Sequence, residues 1–237
     1  MSATPDVLKI SALKSETGVL HGFSTSALGS VGLTHAPDPI PVLASRRGFA
    51  RALGLDSDHM TTIGAVHGNQ IARVDAPQDV VQGVDGLITD RQGVLLFATY
   101  ADCYPIVLWD PGKKVVALLH AGWRGTHARI AEAAVRVMTD EYGSEPATIV
   151  AGIGPGICGR CYEVGGDVAS QFDERFLAPG RDDRSLLDLA AANQAQLESA
   201  GVGSVHVIGV CTKETDYLPS HRRNPDGTRF GAIVALR

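Results

Sequence analysis

Residues 93–142 read GVLLFATYADCYPIVLWDPGKKVVALLHAGWRGTHARIAEAAVRVMTDEY, and this stretch decides the fold class. Three short apolar runs, at residues 93–99, 105–109 and 114–119, are rich in branched and bulky side chains, which predicts buried strands. Residues 128–142 follow with apolar side chains at helical spacing and a glycine after the last of them, which predicts a helix. Strands that alternate with helices predict an α/β domain with buried sheets.

The same alternation continues on both sides of this stretch. The patterns predict helices at residues 42–55, 167–176 and 186–200, and strands at residues 148–153, 204–211 and 229–236. The rest of the first 60 residues favours no element type. The sequence contains no internal repeat and no low-complexity block, which indicates a single domain.

The composition excludes several classes of protein. The 237 residues carry 21 basic and 26 acidic side chains, which gives a net charge of −5. This balance argues against nucleic acid binding, and no apolar run reaches the roughly 18 residues of a membrane span. The N-terminus lacks the basic and apolar segments of a signal peptide, and four cysteines are too few for a disulfide scaffold. We therefore expect a cytoplasmic protein without nucleic acid or membrane partners.

Three residues at the edges of apolar runs could together bind a metal ion: His67, Cys103 and His120. Two imidazoles and one thiolate form a ligand set for zinc that leaves the fourth position open for water. Zinc can lower the pKa of that water to about 7, which predicts catalysis by a metal-activated hydroxide.

Two alternatives remain open at this point. The spacings match no local zinc-binding pattern, so His67 and His120 could instead be buried or capping histidines, with Cys103 as a small core residue. Cys103 and His120 could also act directly as nucleophile and base. Metal content would separate these interpretations.

The other cysteines carry weaker signals. Cys158 and Cys161 have the spacing of half a zinc ribbon or of a redox pair, but the sequence contains no second such pair. They lie in a glycine-rich stretch, residues 152–161, which favours a pocket-forming loop over a redox role. Cys211 ends a predicted strand, and we expect it to pack in the interior.

Four arginines indicate a site for a small anion. Arg124 precedes the predicted helix at residues 128–142, so its guanidinium would lie near free helix amides, an arrangement that binds phosphate. Arg222, Arg223 and Arg229 of the C-terminal tail could supplement it. The alternative is that these arginines are solvated or paired with carboxylates.

The sequence resembles the laccase-domain proteins, also called the multicopper polyphenol oxidase or purine nucleoside phosphorylase family. Ser26 and Ala65 depart from the family pattern, which commonly has Arg and Gln at these positions. The blocks that carry the resemblance follow the family's order through nearly the whole chain: His21-Gly-Phe-Ser-Thr25, Val66-His67-Gly68, Val84-Asp85-Gly86-Leu-Ile-Thr89, Ala101-Asp102-Cys103-Tyr-Pro105, His120-Ala-Gly-Trp-Arg-Gly-Thr126, Gly154-Pro155, Cys161-Tyr-Glu-Val-Gly165, Cys211-Thr212 and Ser220-His-Arg-Arg223.

The resemblance implies a single domain over residues 1–237 with the laccase-domain (cytotoxic-necrotising-factor-like) fold, built of packed mixed sheets flanked by helices. It implies zinc on the residues His67, Cys103 and His120. It also implies phosphorolysis of adenosine, guanosine, inosine and methylthioadenosine to free base and ribose 1-phosphate, together with deamination of adenosine. Purine nucleosides and inorganic phosphate are then the expected partners.

An older description of the same family is copper-dependent phenol oxidase. True multicopper oxidases build a trinuclear cluster from paired His-x-His motifs, and the eight histidines of this chain include no such pair. One three-ligand site cannot hold four coppers, although a given site generally binds copper more tightly than zinc. The sequence therefore favours zinc, with copper as the alternative cofactor.

These expectations give each candidate residue a role. Cys103 and His120 are predicted to be catalytic as well as metal ligands. Asp102, next to the thiolate, is predicted to carry a proton or to orient a ligand, with capping of a turn as the structural alternative. We assign phosphate to Arg124, with Arg222 and Arg223 as further contacts.

Overall fold

The computed structural model of the chain describes residues 4–34 and 36–237. Residues 1–3, which belong to the stretch analysed for a signal peptide, and His35 lie outside the described residues. The strands are β1 (Val7–Leu8), β2 (Val19–Ser24), β3 (Met60–Gly64), β4 (Ile71–Arg73), β5 (Val80–Gln82), β6 (Gly86–Thr89), β7 (Leu95–Tyr100), β8 (Tyr104–Asp110), β9 (Val115–Ala121), β10 (Val150–Ile153), β11 (Glu163–Val164), β12 (Leu177–Pro179), β13 (Ser185–Leu187), β14 (Ser204–Val207) and β15 (Phe230–Leu236). The helices are α1 (Ser11–Lys14), α2 (Pro39–Ala52), α3 (Trp123–His127), α4 (Ile130–Tyr142), α5 (Gly166–Ala169) and α6 (Leu189–Ser199).

The strands form two large sheets and one small one. The first large sheet has the order β1-β2-β15-β7-β3-β5, and the second has the order β14-β10-β8-β9-β6-β4. Both contain parallel and antiparallel pairs. The small sheet has the order β11-β13-β12. No helix among the described residues is long and apolar enough to cross a membrane.

The central strands are buried on both faces, which explains their uninterrupted apolar runs. Along β7, Leu96 faces the core between the two large sheets, whereas Leu95 and Phe97 pack with helix α2 on the outer face. Along β9, Leu118 faces the same intersheet core, whereas Leu119 packs with α4 and α6. The four layers are therefore α2, the first sheet, the second sheet, and α4 with α6. The predicted α/β fold of packed mixed sheets flanked by helices is confirmed.

The helix predicted at residues 167–176 is wrong. Helix α5 ends at Ala169 after one turn. The carboxylate of Asp173 accepts a hydrogen bond from the N–H of Arg175 at 3.0 Å and thereby caps a separate 3-10 turn. The apolar spacing predicts one continuous helix, but side-chain capping inside the segment divides it into two short turns.

The helix predicted at residues 186–200 begins too early. Leu187 belongs to β13, and Asp188 caps the helix by accepting a hydrogen bond from the N–H of Ala191 at 2.9 Å. An aspartate at this position starts a helix, so the apolar residue before it falls outside.

Positive φ angles shorten two other elements relative to the predictions, a strand at its end and a helix at its start. The strand predicted at residues 204–211 stops at Val207, and Gly209 adopts a φ of 69°. The helix predicted at residues 128–142 begins only after Arg129, which has a φ of 61°. The helix end that adjoins Arg124 is consequently that of the five-residue helix α3.

A buried histidine makes the stability of this fold depend on pH. Nε2 of His21 in β2 accepts a hydrogen bond from the N–H of Ile10 at 2.8 Å, which requires an unprotonated ring nitrogen. Burial, and then the charge of Lys9, lowers the pKa of His21 from 6.5 to about 4. The unfolded chain therefore binds a proton between these pH values that the native chain does not bind. The free energy of unfolding is expected to fall by roughly 3 kcal/mol across this window as the pH is lowered.

The variant His21→Gln tests this dependence, because its amide oxygen can accept the same hydrogen bond without titrating. Urea unfolding between pH 7 and pH 4, as rough limits of the titration window, should show a smaller loss of stability for the variant than for the wild type. The exposed His59 provides a control, since His59→Gln should keep the wild-type dependence. Equal slopes for His21→Gln and the wild type would contradict the prediction.

Candidate metal centre and cleft

Three separate segments bring His67, Cys103 and His120 together. His67 lies in the loop after β3, Cys103 lies between β7 and β8, and His120 lies in β9. The pairing of His120 with Pro105 in the second sheet places it beside the turn that carries Cys103. The ligand atoms of the three side chains lie within 4.8 Å of one another. The three predicted ligands therefore form one cluster.

The backbone around the cluster is strained, and Asp85 stabilises part of it. His67 has a φ of 62° and Asp102 a φ of 87°, a region that costs a non-glycine residue on the order of 1 kcal/mol. The carboxylate of Asp85 accepts hydrogen bonds from three successive N–H groups, those of Val66 at 3.1 Å, His67 at 2.9 Å and Gly68 at 2.6 Å. These bonds hold the His67 loop in place.

Asp85 also orients His120. Oδ1 of Asp85 lies 3.0 Å from Nδ1 of His120, and both side chains are buried. With Nδ1 donating to the carboxylate, Nε2 of His120 is left free to bind a metal, an arrangement common around zinc. Asp85 has no role among the predictions from the sequence, although it lies in one of the blocks that carry the resemblance, Val84–Thr89. The available signal was a carboxylate at the start of an apolar run, directly before β6, because a buried acid needs several donors.

The charges at the cluster favour a thiolate. Burial opposes ionisation of the Cys103 thiol, but His120 and His67 more than offset it, so the pKa of Cys103 is lowered. Burial also opposes protonation of His120, but Cys103 and Asp85 raise its pKa above the ordinary value. A thiolate with two imidazoles is a donor set that suits zinc with one position open. These residues therefore fit a divalent metal ion.

Two glycines of the block His120–Thr126 let the surrounding backbone approach the cluster. A Cβ on Gly122 would lie 2.9 Å from Sγ of Cys103 and 3.2 Å from Cδ2 of His67. A Cβ on Gly125 would lie 2.8 Å from the carbonyl oxygen of Gly68. Side chains at either position would displace the segments that carry the cluster.

The cluster lines a cleft with a volume of about 690 Å³. This volume falls in the range of sites for small molecules. Residues of both large sheets and of the C-terminal tail form its walls, and several of them are basic, which favours an anionic ligand. The basic residues besides the cluster are Arg46, His221, Arg222 and Arg229.

Arg222 and Arg124, two of the arginines assigned to phosphate, lie in different environments. Arg222 lines the cleft, where Nη1 donates to the carbonyl oxygen of Glu163 at 2.7 Å and the guanidinium lies 5.1 Å from the centre of the Tyr162 ring. Arg124 is exposed and stacks on Trp123 at 4.3 Å, outside the set of described residues that line the cleft. Arg222 is therefore better placed than Arg124 to meet a ligand there.

Arg223 stabilises the loop at residues 212–218. Its Nη1 and Nη2 groups donate to backbone carbonyl oxygens of this loop, those of Thr212, Lys213, Thr215 and Leu218. These bonds use Nη1 and one N–H of Nη2, and Arg223 lies outside the described residues that line the cleft. The role of Arg223 in phosphate binding stays a prediction, and these contacts argue against it.

Asp102 holds the same part of the chain. Oδ1 of Asp102 accepts a hydrogen bond from Oγ1 of Thr212 at 2.6 Å, and Oδ2 accepts one from the N–H of Arg222 at 2.7 Å. These contacts match the structural alternative for Asp102, whereas the bond that orients a ligand comes from Asp85. Proton transfer by Asp102 stays a prediction.

Arg46 in α2 is a cleft residue that the sequence analysis missed. Its Nε donates to the carbonyl oxygen of Val31 at 2.9 Å, its guanidinium lies 4.7 Å from the centre of the Phe97 ring, and burial lowers its pKa to about 10. No local pattern marks this residue, because it faces the cleft only once the layers are assembled. Of the two departures from the family pattern, Ala65 lines the cleft, and Ser26 lines a separate depression.

Comparisons with known proteins identify the family of the chain. The chain matches the family model described as multi-copper polyphenol oxidoreductase laccase over residues 16–237. It is 43% identical over 230 residues to a purine nucleoside phosphorylase of Deinococcus radiodurans, covering 92% of this chain and 89% of that protein. It is 36% identical over 190 residues to the adenosine deaminase RL5 of an unknown prokaryotic organism, covering 72% and 71%. The crystal structure of the hypothetical protein YfiH of Bacillus licheniformis superposes with a TM-score of 0.92 at 28% identity, covering 99% and 97%.

The four-layer fold and the cluster in its cleft thus define a laccase-domain protein. The chain belongs to the multi-copper polyphenol oxidoreductase laccase family. The resemblance predicted from the sequence blocks is confirmed. The names of the two relatives describe nucleoside chemistry, whereas the name of the family describes phenol oxidation.

Proposed function

We propose that the protein is a zinc-containing purine nucleoside phosphorylase that also deaminates adenosine. Its substrates would be adenosine, guanosine, inosine and methylthioadenosine, with inorganic phosphate as the second reactant. The observation that carries the proposal is the cluster of His67, Cys103 and His120 in a cleft that also contains basic side chains. The named activities of the relatives support the same pair of reactions.

Phosphorolysis places its main demand on positioning. The bond between C1′ of the ribose and the purine nitrogen breaks, a bond from C1′ to a phosphate oxygen forms, and the purine leaves with a proton. The sugar carries oxocarbenium character in the transition state, so phosphate must be held close to C1′. Arg222 lines the cleft and is the best supported phosphate contact, whereas Arg124 would have to reach in from outside.

Deamination requires activated water. The water oxygen adds to the purine carbon that bears the amine, and ammonia leaves. A zinc ion on His67, Cys103 and His120 would supply Lewis-acid activation and would keep one coordination position open for this purpose. The contribution of the chain is to fix these ligands, which Asp85 does for both histidines.

The variants Cys103→Ala and His120→Ala test the proposal. Both should lose the zinc ion of the cleft cluster and both reactions, assayed with adenosine in the presence and absence of phosphate and followed by chromatography of the products. His59→Ala removes an exposed histidine outside the cleft lining and should keep zinc and activity. Phosphorolysis retained by a variant without the cleft zinc would refute the metal's part in that reaction. A wild type that binds purines without turnover would refute the enzyme assignment.

The same assay separates the arginines. Arg222→Ala should reduce phosphate-dependent cleavage more than it reduces deamination, because deamination uses no phosphate. Arg124→Ala should show the same selectivity if Arg124 also contacts phosphate. Equal losses of both reactions in either variant would remove that residue from the phosphate site.

A metal-independent hydrolase is the second candidate, because Asp85, His120 and Cys103 form a chain of the kind that activates a thiol nucleophile. Such an enzyme would resist chelators and would be inactivated by iodoacetamide. The zinc enzyme should instead lose activity with a chelator and regain it with Zn²⁺.

A copper-dependent polyphenol oxidase is the reading that the family name suggests. Copper would compete for a site of this kind, because Cu²⁺ generally binds a given site more tightly than Zn²⁺. Elemental analysis of protein purified without added metal should find zinc. Copper in that protein, with oxidation of a phenol, would favour the oxidase.

A further inference from the structure

A second group of metal-ligand side chains lies outside the cleft. Cys158, Cys161, Cys211 and Glu214 each offer one ligand atom, and these four atoms lie within 4.8 Å of one another. All three cysteines are free. The sequence contains no second cysteine pair that could complete a site with Cys158 and Cys161. The fold instead brings Cys211 and Glu214 next to them.

Backbone hydrogen bonds hold the three sulfurs together. The N–H groups of Cys161 and Tyr162 donate to the carbonyl oxygen of Cys158 at 2.9 and 3.0 Å, which makes a tight turn. An isolated bridge pairs Gly156 with Cys211. The N–H of Cys158 then donates to Sγ of Cys211 at 3.3 Å. Donors directed at a buried sulfur stabilise its thiolate form, which is the form that binds a metal.

Glu214 completes the group and is itself fixed. Sγ of Cys161 donates to Oε1 of Glu214 at 3.4 Å. Nε and Nη2 of Arg160 donate to the two carboxylate oxygens at 2.9 and 2.6 Å. The guanidinium would offset part of the negative charge that three thiolates and a carboxylate bring to a divalent ion. A bound ion would replace the thiol proton that Cys161 donates to Glu214.

We propose that Cys158, Cys161, Cys211 and Glu214 form a closed binding site for a zinc-class divalent ion. Three thiolates and one carboxylate are a complete tetrahedral set of the ligand types that zinc prefers. Because the protein fills all four positions, the site is structural and leaves no position for substrate. Binding releases the thiol protons to solvent.

The ion would join two loops that form one wall of the cleft. Cys158 and Cys161 lie in the loop after β10, and Tyr162 follows directly. Cys211 and Glu214 lie in the segment after β14, which continues to Arg222. Tyr162 and Arg222 both line the cleft and stack on each other at 5.1 Å. The second site would therefore stabilise the wall that carries them.

The test uses the full-length variant Cys103→Ala, in which the cleft cluster has lost its thiolate. Elemental analysis should still find one zinc ion per chain. After removal of the metal, Co²⁺ should produce a thiolate-to-cobalt charge-transfer absorption. Adding Cys158→Ser should abolish both signals, and adding Glu214→Gln should weaken Co²⁺ binding. Adding Lys213→Ala, in the same loop but without a ligand atom, should leave both unchanged.

The wild type provides a measurement that does not depend on folding of a variant. Cys158, Cys161 and Cys211 should resist alkylation by iodoacetamide until a chelator removes the metal, as peptide mapping can show. Alkylation at equal rates with and without chelator would overturn the proposal. A metal-free Cys103→Ala protein without a cobalt–thiolate band would also overturn it, as would a disulfide between Cys158 and Cys161 detected by mass spectrometry.

Discussion

Asp85→Asn is expected to lower the affinity for zinc by about 10- to 100-fold, with a matching loss of both activities at limiting zinc. The reason is that one carboxylate serves both histidines of the cluster. It accepts the N–H groups of the loop that carries His67 and the Nδ1–H of His120. An asparagine keeps one oxygen acceptor but turns an NH2 group toward groups that are themselves donors.

The unpaired donors should also destabilise the fold, by about 2 kcal/mol, because buried N–H groups without an acceptor carry a desolvation cost. Equilibrium dialysis or competition with a chelator measures the affinity, and urea unfolding measures the stability. Wild-type zinc affinity in Asp85→Asn would contradict the orienting role.

Asp110 provides a matched control for this substitution. It is also a buried aspartate, and its Oδ1 accepts the N–H groups of Gly112 at 2.8 Å and Lys113 at 3.1 Å. Asp110→Asn should therefore lower the free energy of unfolding without changing zinc affinity. The comparison separates the local effect of Asp85 on the ligands from a general loss of stability.

Sequence periodicity predicted the central strands well because they are buried on both faces. Residues such as Leu95, Leu96 and Phe97 are apolar regardless of which layer they face, so the run is visible without knowledge of the partners. The order of the strands could not be predicted in the same way. β3 lies beside β7 and β15 lies between β2 and β7, and these pairings connect segments that are distant in the chain.

Very short elements left no signal in the sequence. β1 and β11 have two residues each, and β4, β5, β12 and β13 have three. A strand of this length shows no alternation and exists because a neighbour supplies its hydrogen bonds. The length of helix α5 was overpredicted for a different reason. The apolar spacing continues past Ala169, where the helix ends, into a separate turn that Asp173 caps.

The residue types of the metal ligands could be predicted from the sequence, but the carboxylate that contacts them could not. His67, Cys103 and His120 are the residues whose chemistry suits zinc, and the structure groups them. The carboxylate that orients His120 is Asp85, which lies 35 positions before it in the chain. The sequence instead suggested Asp102, which is adjacent to Cys103. Proximity in sequence identified an acid near the thiol, but the sheet register decides which acid reaches the imidazole.

Gly122→Ala is expected to disrupt the cluster with little effect on the rest of the fold. The backbone at Gly122 has φ −86° and ψ 179°, which alanine adopts without strain. The added Cβ would however lie 2.9 Å from Sγ of Cys103 and 3.2 Å from Cδ2 of His67, so at least one predicted ligand must move. Displacement of a reacting group by about 1 Å can cost on the order of 100-fold in rate.

We therefore expect Gly122→Ala to lose most of its activity and to bind zinc more weakly, while its thermal unfolding changes little. Gly48 in α2 provides the control, because a Cβ there meets nothing within 4 Å. Gly48→Ala should keep zinc and activity and should gain up to about 1 kcal/mol from its better helix propensity. Wild-type zinc binding and turnover of adenosine by Gly122→Ala would contradict this prediction. The positions of the ligands would then not depend on the absence of a side chain at Gly122.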